Sequence, residues 1–163
     1  LFFSPYFVVR DTSVNGVEKT FGRPGIVPFE SFFMDQNPKQ VLVTLGPDAG
    51  TAYDVIERWN KSGKGKVGLI VLRLITPFPS HRLREVLKGV EEVAVVNQAF
   101  HTERGHLTTL IAEALSGLPI KIGGFFAGLG GADISASTWE LVVEKLPKMR
   151  GDESLFVHQG RVL

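Results

Sequence analysis

The chain has 163 residues, 44% of them hydrophobic, which is enough to bury one core and favours a single main domain. The absence of cysteine excludes disulfides, a thiol nucleophile and cysteine-ligated iron–sulfur clusters, and a net charge of +1 without a basic block argues against nucleic-acid binding. No apolar run is long enough to span a bilayer, so we expect a cytoplasmic protein that does not bind membranes.

Residues 1–40 differ from the rest of the chain, because they show no sustained period yet hold seven of the twelve phenylalanines. We predict an aromatic-rich N-terminal arm or linker over residues 1–40, with a candidate strand at 1–9, and an α/β domain over residues 41–163. The phenylalanines are expected to pack on this domain's own sheet, with docking on a neighbouring domain as the alternative. Because residue 1 is not methionine, we expect a piece of a longer polypeptide, although processing would leave the same start.

Two β-α units follow from residue 41. Residues 41–45 predict a strand that leads into an amphipathic helix. The apolar stripe of this helix consists of Ala49, Ala52, Tyr53, Ile56 and Trp59. Residues 67–79 begin as an unbroken apolar run, which is typical of a central strand in a parallel sheet covered by helices on both faces. Because Pro77 and Pro79 cannot donate ladder hydrogen bonds, strand pairing must end before them.

The same alternation continues along the rest of the chain. A helix beginning at Ser80 precedes a strand at 92–97, a helix at 104–116 and a strand at 120–126. Ser137 with Glu140 predicts a capping box. The helix that it opens has Trp139, Val142, Val143 and Leu146 on its inward side. Residues 155–157 are a candidate edge strand, for which an antiparallel orientation stays open. These units predict a three-layer, doubly wound α/β fold with a mainly parallel sheet and helices on both faces.

Two stretches after strands carry polar side chains that could bind a ligand. The turn at 46–50 stands where a phosphate loop would be, but its spacing is not GxGxxG and Asp48 places a carboxylate at the helix N-terminus. We therefore expect a plain capped turn. The loop at 97–106 holds His101 and Arg104, which could transfer protons or bind a carboxylate. A solvated helix start, in which Glu103 suits the helix dipole, is the favoured interpretation.

Two further stretches also follow strands. The segment at 123–133 has five glycines, which permit close approach by an anionic ligand or by another protein chain. Asp133 beside these glycines makes an anion the weaker choice. Arg73, at the end of the strand that begins at residue 67, could pair with a partner's carboxylate, but a local ion pair is the expected arrangement.

Four segments together resemble the C-terminal transketolase-like domain in the α subunit of pyruvate and other 2-oxoacid:ferredoxin (flavodoxin) oxidoreductases. They are VLVTLG at 41–46, KVGLIVLRLITPFP at 66–79, EEVAVVNQ at 91–98 and FFAGLGGADIS at 125–135. The resemblance covers about residues 41–147. Pro47 and Ala132 depart from the serine and arginine usual in that family, and the loop at 99–106 matches none of its subgroups.

The resemblance implies a complete enzyme that uses thiamine diphosphate, Mg²⁺ and iron–sulfur clusters to oxidise pyruvate or a related 2-oxoacid, usually to an acyl-CoA. It implies ferredoxin or flavodoxin as the electron acceptor, and the other domains or subunits of the same oxidoreductase as partners. This chain would then be an assembly domain, inactive alone and without catalytic, cofactor-binding or metal-binding residues. The alternatives are a free-standing binder of nucleotides or small anions, and the equivalent domain of a transketolase or a dehydrogenase β subunit.

The expected contact surface with those partners is the edge of the sheet where the parallel strands end. Glycines leave room there for a partner's backbone, and arginine and aromatic residues are enriched in buried interfaces. The candidate interface residues are Arg73, Phe78, His101, Arg104, Gly128, Leu129, Gly130, Gly131 and Asp133.

Overall fold

The structure is a computed structural model that describes residues 27–46, 48–146 and 154–163. Strands and helices alternate through most of these residues. The strands are β1 Phe29–Phe32, β2 Gln40–Leu45, β3 Val67–Leu72, β4 Glu92–Asn97, β5 Lys121–Phe126, β6 Ser154–His158 and β7 Arg161–Val162. The helices are α1 Ala49–Lys61, α2 Ser80–Val86, α3 His106–Ala114 and α4 Ala136–Lys145, with short 3-10 helices at Met34–Gln36 and Leu129–Gly131.

All seven strands lie in one sheet, in the order β1-β3-β2-β4-β5-β6-β7. Strands β2 to β6 run parallel, whereas β1 and β7 are antiparallel to their neighbours at the two edges. The four strands predicted at 41–45, 67–73, 92–97 and 120–126 are therefore confirmed as members of one parallel sheet. The doubly wound α/β prediction is confirmed with them.

Two strands hold places in the sheet that differ from those predicted. β3 is interior and all six of its residues are buried, but it is the second strand from an edge, and its outer neighbour β1 is antiparallel. The middle of the sheet is β4. The candidate edge strand at 155–157 forms part of β6, which pairs in parallel with β5 and has the two-residue β7 beyond it.

The four helices cover both faces of the sheet, as predicted. Helices α1 and α4 pack on one face, where Leu42, Leu69, Ala94 and Phe125 alternate with residues that point to the other face. Helices α2 and α3 pack on that other face, with Val41, Ile70, Val95 and Ile111 in its core. The predicted stripe of α4 is confirmed, because Trp139, Val142, Val143 and Leu146 are each no more than 2% exposed.

Part of the predicted arm is described and belongs to the sheet. Phe29–Phe32 pairs with β3, and Phe32 and Phe33 pack their rings against Tyr53 of α1 at centroid distances of 5.2 and 4.9 Å. These phenylalanines pack on the chain's own sheet, as favoured from the sequence. Residues 1–26, with the candidate strand at 1–9, lie outside the described residues, so the division at residue 40 stays a prediction.

Two helix starts use contacts other than those predicted. The cap of α4 is Ser135, whose hydroxyl accepts a hydrogen bond from the Thr138 amide at 3.4 Å, so the predicted capping box of Ser137 and Glu140 is wrong. Glu140 instead lies 3.3 Å from Arg58 of α1. Asp48 does occupy the N-cap position of α1, but its side chain makes no capping hydrogen bond. Among the described residues, no helix is long and apolar enough to cross a membrane.

Candidate interface at the carboxyl edge of the sheet

The parallel strands β2 to β6 all end at the same side of the sheet, which we call the carboxyl edge. The loops that hold the nine candidate interface residues leave from this edge, after β3, β4 and β5. Because β2 and β4 lie between β3 and β5, the first and last of these loops start about 14 Å apart, at about 4.8 Å per strand. The structure thus places the candidates along one surface rather than in one compact site.

Arg73 and Phe78, in the loop after β3, make contacts within the chain. The Arg73 guanidinium lies 2.7 Å from the Glu30 carboxylate of β1, so the local ion pair favoured from the sequence is present. Phe78 is half-buried and packs against the core beneath α2. Both side chains thus have partners within the chain, and Arg73 is exposed while Phe78 is half-buried.

The loop at 98–105, after β4, is the most exposed part of the carboxyl edge, because all its residues from 99 to 104 are exposed. Phe100 is 60% exposed, although its ring contacts Phe126 and Phe156 at centroid distances of 5.3 and 5.7 Å. The rings of Phe126 and Phe156 stack on each other at 4.7 Å. His101 meets His106 edge-on at 5.9 Å. The loop therefore presents an aromatic ring that is largely exposed and rests in part on Phe126 and Phe156.

Asn97, the last residue of β4, joins the two ends of this loop. Its Oδ1 accepts hydrogen bonds from the amides of Leu107 and Thr108 at 3.1 and 3.4 Å, and its Nδ2 donates to the Thr108 hydroxyl at 2.8 Å. These amides are the second and third of α3, which an N-cap side chain normally satisfies. Gly105 holds the N-cap position and has no side chain, so Asn97 supplies the cap from a neighbouring element.

Gly105 is required by that arrangement. A Cβ at this position would lie 2.3 Å from the side chain of Asn97, and the backbone has φ +81° and ψ 142°, a conformation that glycine alone adopts readily. The close approach brings the start of α3 directly over the end of β4. The two ends of the loop therefore lie close together at its base, and residues 98–104 project beyond them.

A second polar contact lies where the connections leave the sheet in opposite directions, between β2 and β4. In doubly wound folds, ligands bind at this switch point. Here the Gln98 amide donates a hydrogen bond to the Asp48 carboxylate at 2.5 Å, so the chain's own side chains join the two loops. The Asp48 carboxylate thus bonds to Gln98 and makes no capping bond to the first amides of α1.

A cleft of about 280 Å³ opens beside that contact. It is lined by Leu45, Ile75, Val96, Asn97, Gln98, Ala99, His106 and Leu107. Most of these side chains are apolar, and Ile75 is 37% exposed at its margin. The carboxyl edge thus carries both an exposed aromatic ring and a mostly apolar cleft.

The glycine loop after β5 owes its composition to backbone conformation. Gly128, Gly130 and Gly131 have φ of +69°, +69° and +81°, and a Cβ at Gly130 or Gly131 would meet no atom of the described residues within 4 Å. At Gly128 the Cβ would lie 2.9 Å from Ile134. Leu129 is 36% exposed at the tip of this loop, and Asp133 is exposed beside it. Of these three glycines, only Gly128 would bring a Cβ close to another atom among the described residues.

The described residues do not fit the cofactors implied for a complete enzyme. They contain no group of three or more His, Cys, Asp or Glu placed to hold a metal ion, and the whole sequence has no cysteine for an iron–sulfur cluster. A diphosphate at the start of α1 would meet the Asp48 carboxylate, which repels it. That the chain binds none of these cofactors remains a prediction.

Sequence reasoning missed the residues that shape this edge. Asn97 and Gln98 were seen only as members of a polar loop, and their partners lie ten and fifty residues away along the chain. Phe100 was not among the candidates. The sequence did carry one signal, because Phe100 is the single large apolar residue among the polar residues of the 98–105 loop.

Comparisons with known proteins agree with the fold and with the family resemblance. The family model described as "Pyruvate:ferredoxin oxidoreductase core domain II" matches residues 39–138. Pyruvate synthase subunit PorA of Methanocaldococcus jannaschii is 31% identical over 152 residues, which cover 92% of this chain and 38% of that protein. The α subunit of NADH-dependent phenylglyoxylate dehydrogenase from Aromatoleum evansii is 27% identical over 133 residues, covering 78% and 31%. The chain thus spans about a third of the length of these relatives.

Two solved structures share the fold. The 2-oxoglutarate:ferredoxin oxidoreductase from Magnetococcus marinus, with 2-oxoglutarate, coenzyme A and succinyl-CoA bound, gives a TM-score of 0.60 at 18% identity, covering 88% of this chain and 24% of that one. An inactive β4 tetramer of a split-gene transketolase gives 0.54 at 20% identity, covering 69% and 40%. At these identities the two structures support the transketolase-like fold alone. The family model matches more than half of the chain and therefore shows the family. The chain belongs to the pyruvate:ferredoxin oxidoreductase core domain II family.

Proposed function

We propose that this chain is a non-catalytic assembly domain of a thiamine diphosphate-dependent 2-oxoacid:ferredoxin oxidoreductase. The observation that carries the proposal is the family match over residues 39–138, joined to relatives that are named as subunits and are about two and a half times as long. In this proposal the complete enzyme oxidises pyruvate or a related 2-oxoacid and passes electrons to ferredoxin or flavodoxin. The cofactors are held by its other domains.

The carboxyl edge supports a role in assembly rather than catalysis. At the switch point of the sheet, Gln98 and Asp48 bond to each other, so these side chains are engaged within the chain. Three large apolar side chains, Phe100, Ile75 and Leu129, are at least 36% exposed there, among exposed polar residues. Exposed apolar groups surrounded by a polar rim are typical of surfaces that bind other proteins. The nine candidate interface residues lie in the same loops, and their contact with a partner is part of this proposal.

A comparison of the complete oxidoreductase with the 163-residue chain tests the proposal. We expect the complete enzyme to contain this chain in stoichiometric amount and to reduce ferredoxin with a 2-oxoacid and coenzyme A. The chain alone should not reduce ferredoxin with a 2-oxoacid and coenzyme A. An enzyme that assembles and turns over at full rate without this chain, or an isolated chain that turns over a 2-oxoacid, would contradict the assembly role.

The same preparation discriminates the alternative of a free-standing anion binder. Titration of the chain with inorganic phosphate and with a nucleoside diphosphate should give no saturable heat. Saturable binding that is lost on substitution of Gly128 would favour the alternative, because the glycine loop is the candidate anion site.

A further inference from the structure

We draw no further inference here: the strongest candidate, the surface patch at the carboxyl edge where the largely exposed Phe100 rests on the half-buried Phe156 of β6, carries nothing because the described part of the structure does not show what covers it.

Discussion

Asn97→Ala should lower the free energy of unfolding by more than the loss of one hydrogen bond would. Asn97 is 3% exposed. Its side chain accepts hydrogen bonds from the amides of Leu107 and Thr108 and donates one to the Thr108 hydroxyl. Gly105 at the N-cap cannot replace it. The substitution therefore leaves several buried polar groups without partners at the start of α3.

The magnitude follows from two contributions. Loss of an N-cap acceptor costs about 0.5–2 kcal/mol, and a buried donor left without a partner costs about 1–3 kcal/mol. Because the longer bond of 3.4 Å to Thr108 is the weaker of the two amide contacts, we expect a total near 3 kcal/mol. A water molecule that entered the space left by the amide would reduce the loss toward about 1 kcal/mol.

A double-mutant cycle with Gly105→Ala isolates the close approach of the two residues. Alone, Gly105→Ala should be costly, because its Cβ would lie 2.3 Å from the Asn97 side chain and because φ is +81°. In an Asn97→Ala background the clash disappears while the backbone strain of about 1–3 kcal/mol remains. The two substitutions should therefore be less than additive by about 1 kcal/mol or more.

Urea denaturation of the 163-residue chain, analysed by linear extrapolation, measures these free energies of unfolding. Asn60→Ala is the matched control, because Asn60 is also buried and bonds to both the amide and the carbonyl of Val67, at 2.8 and 2.9 Å. It should cost about 2 kcal/mol without affecting assembly through the 98–105 loop. A loss below about 1 kcal/mol for Asn97→Ala, or strict additivity with Gly105→Ala, would refute the account of how this loop is fixed.

Other contacts give three smaller expectations. Gly130→Ala should cost about 1 kcal/mol in urea denaturation from its positive φ alone, and Gly128→Ala should cost more, because its Cβ would lie 2.9 Å from Ile134; equal costs would argue against that contact. Glu30→Ala should change the free energy of unfolding by less than about 1 kcal/mol, because its ion pair with Arg73 is partly exposed, and high salt should shrink the difference. Calorimetry of the chain with thiamine diphosphate and Mg²⁺ should show no binding, and a saturable Mg²⁺-dependent signal would contradict the assembly role.

The sequence predicted the interior of this fold well because the interior is encoded locally. β2 to β5 are apolar runs without alternation, which is the pattern of strands buried on both faces. β1 could not be predicted, since its four residues carry no periodic signal and become a strand through pairing with β3. The start of α4 was misplaced by two residues because Ser135 and Ser137 both suit a cap, and only the backbone conformation selects Ser135.

The candidate surface was predicted in location but not in its details. Parallel strands must end at one edge, so the loops that carry His101, Arg104 and Leu129 could be assigned to it from the strand pattern alone. The role of Asn97 depends on a contact with residues 107 and 108 that no local pattern encodes. The exposure of Phe100 likewise cannot be predicted locally, because it depends on how much of its ring Phe126 and Phe156 cover in the packed sheet.

Hydrogen exchange in the complete oxidoreductase, compared with that in the 163-residue chain alone, tests the central claim most directly. If the carboxyl edge docks onto another domain, the amides of residues 98–104 and 128–133 should exchange more slowly in the complex, while those of buried β3 and β4 stay equally protected in both. Equal exchange of both loops in the two preparations would place the carboxyl edge in solvent and contradict the assembly role proposed for it.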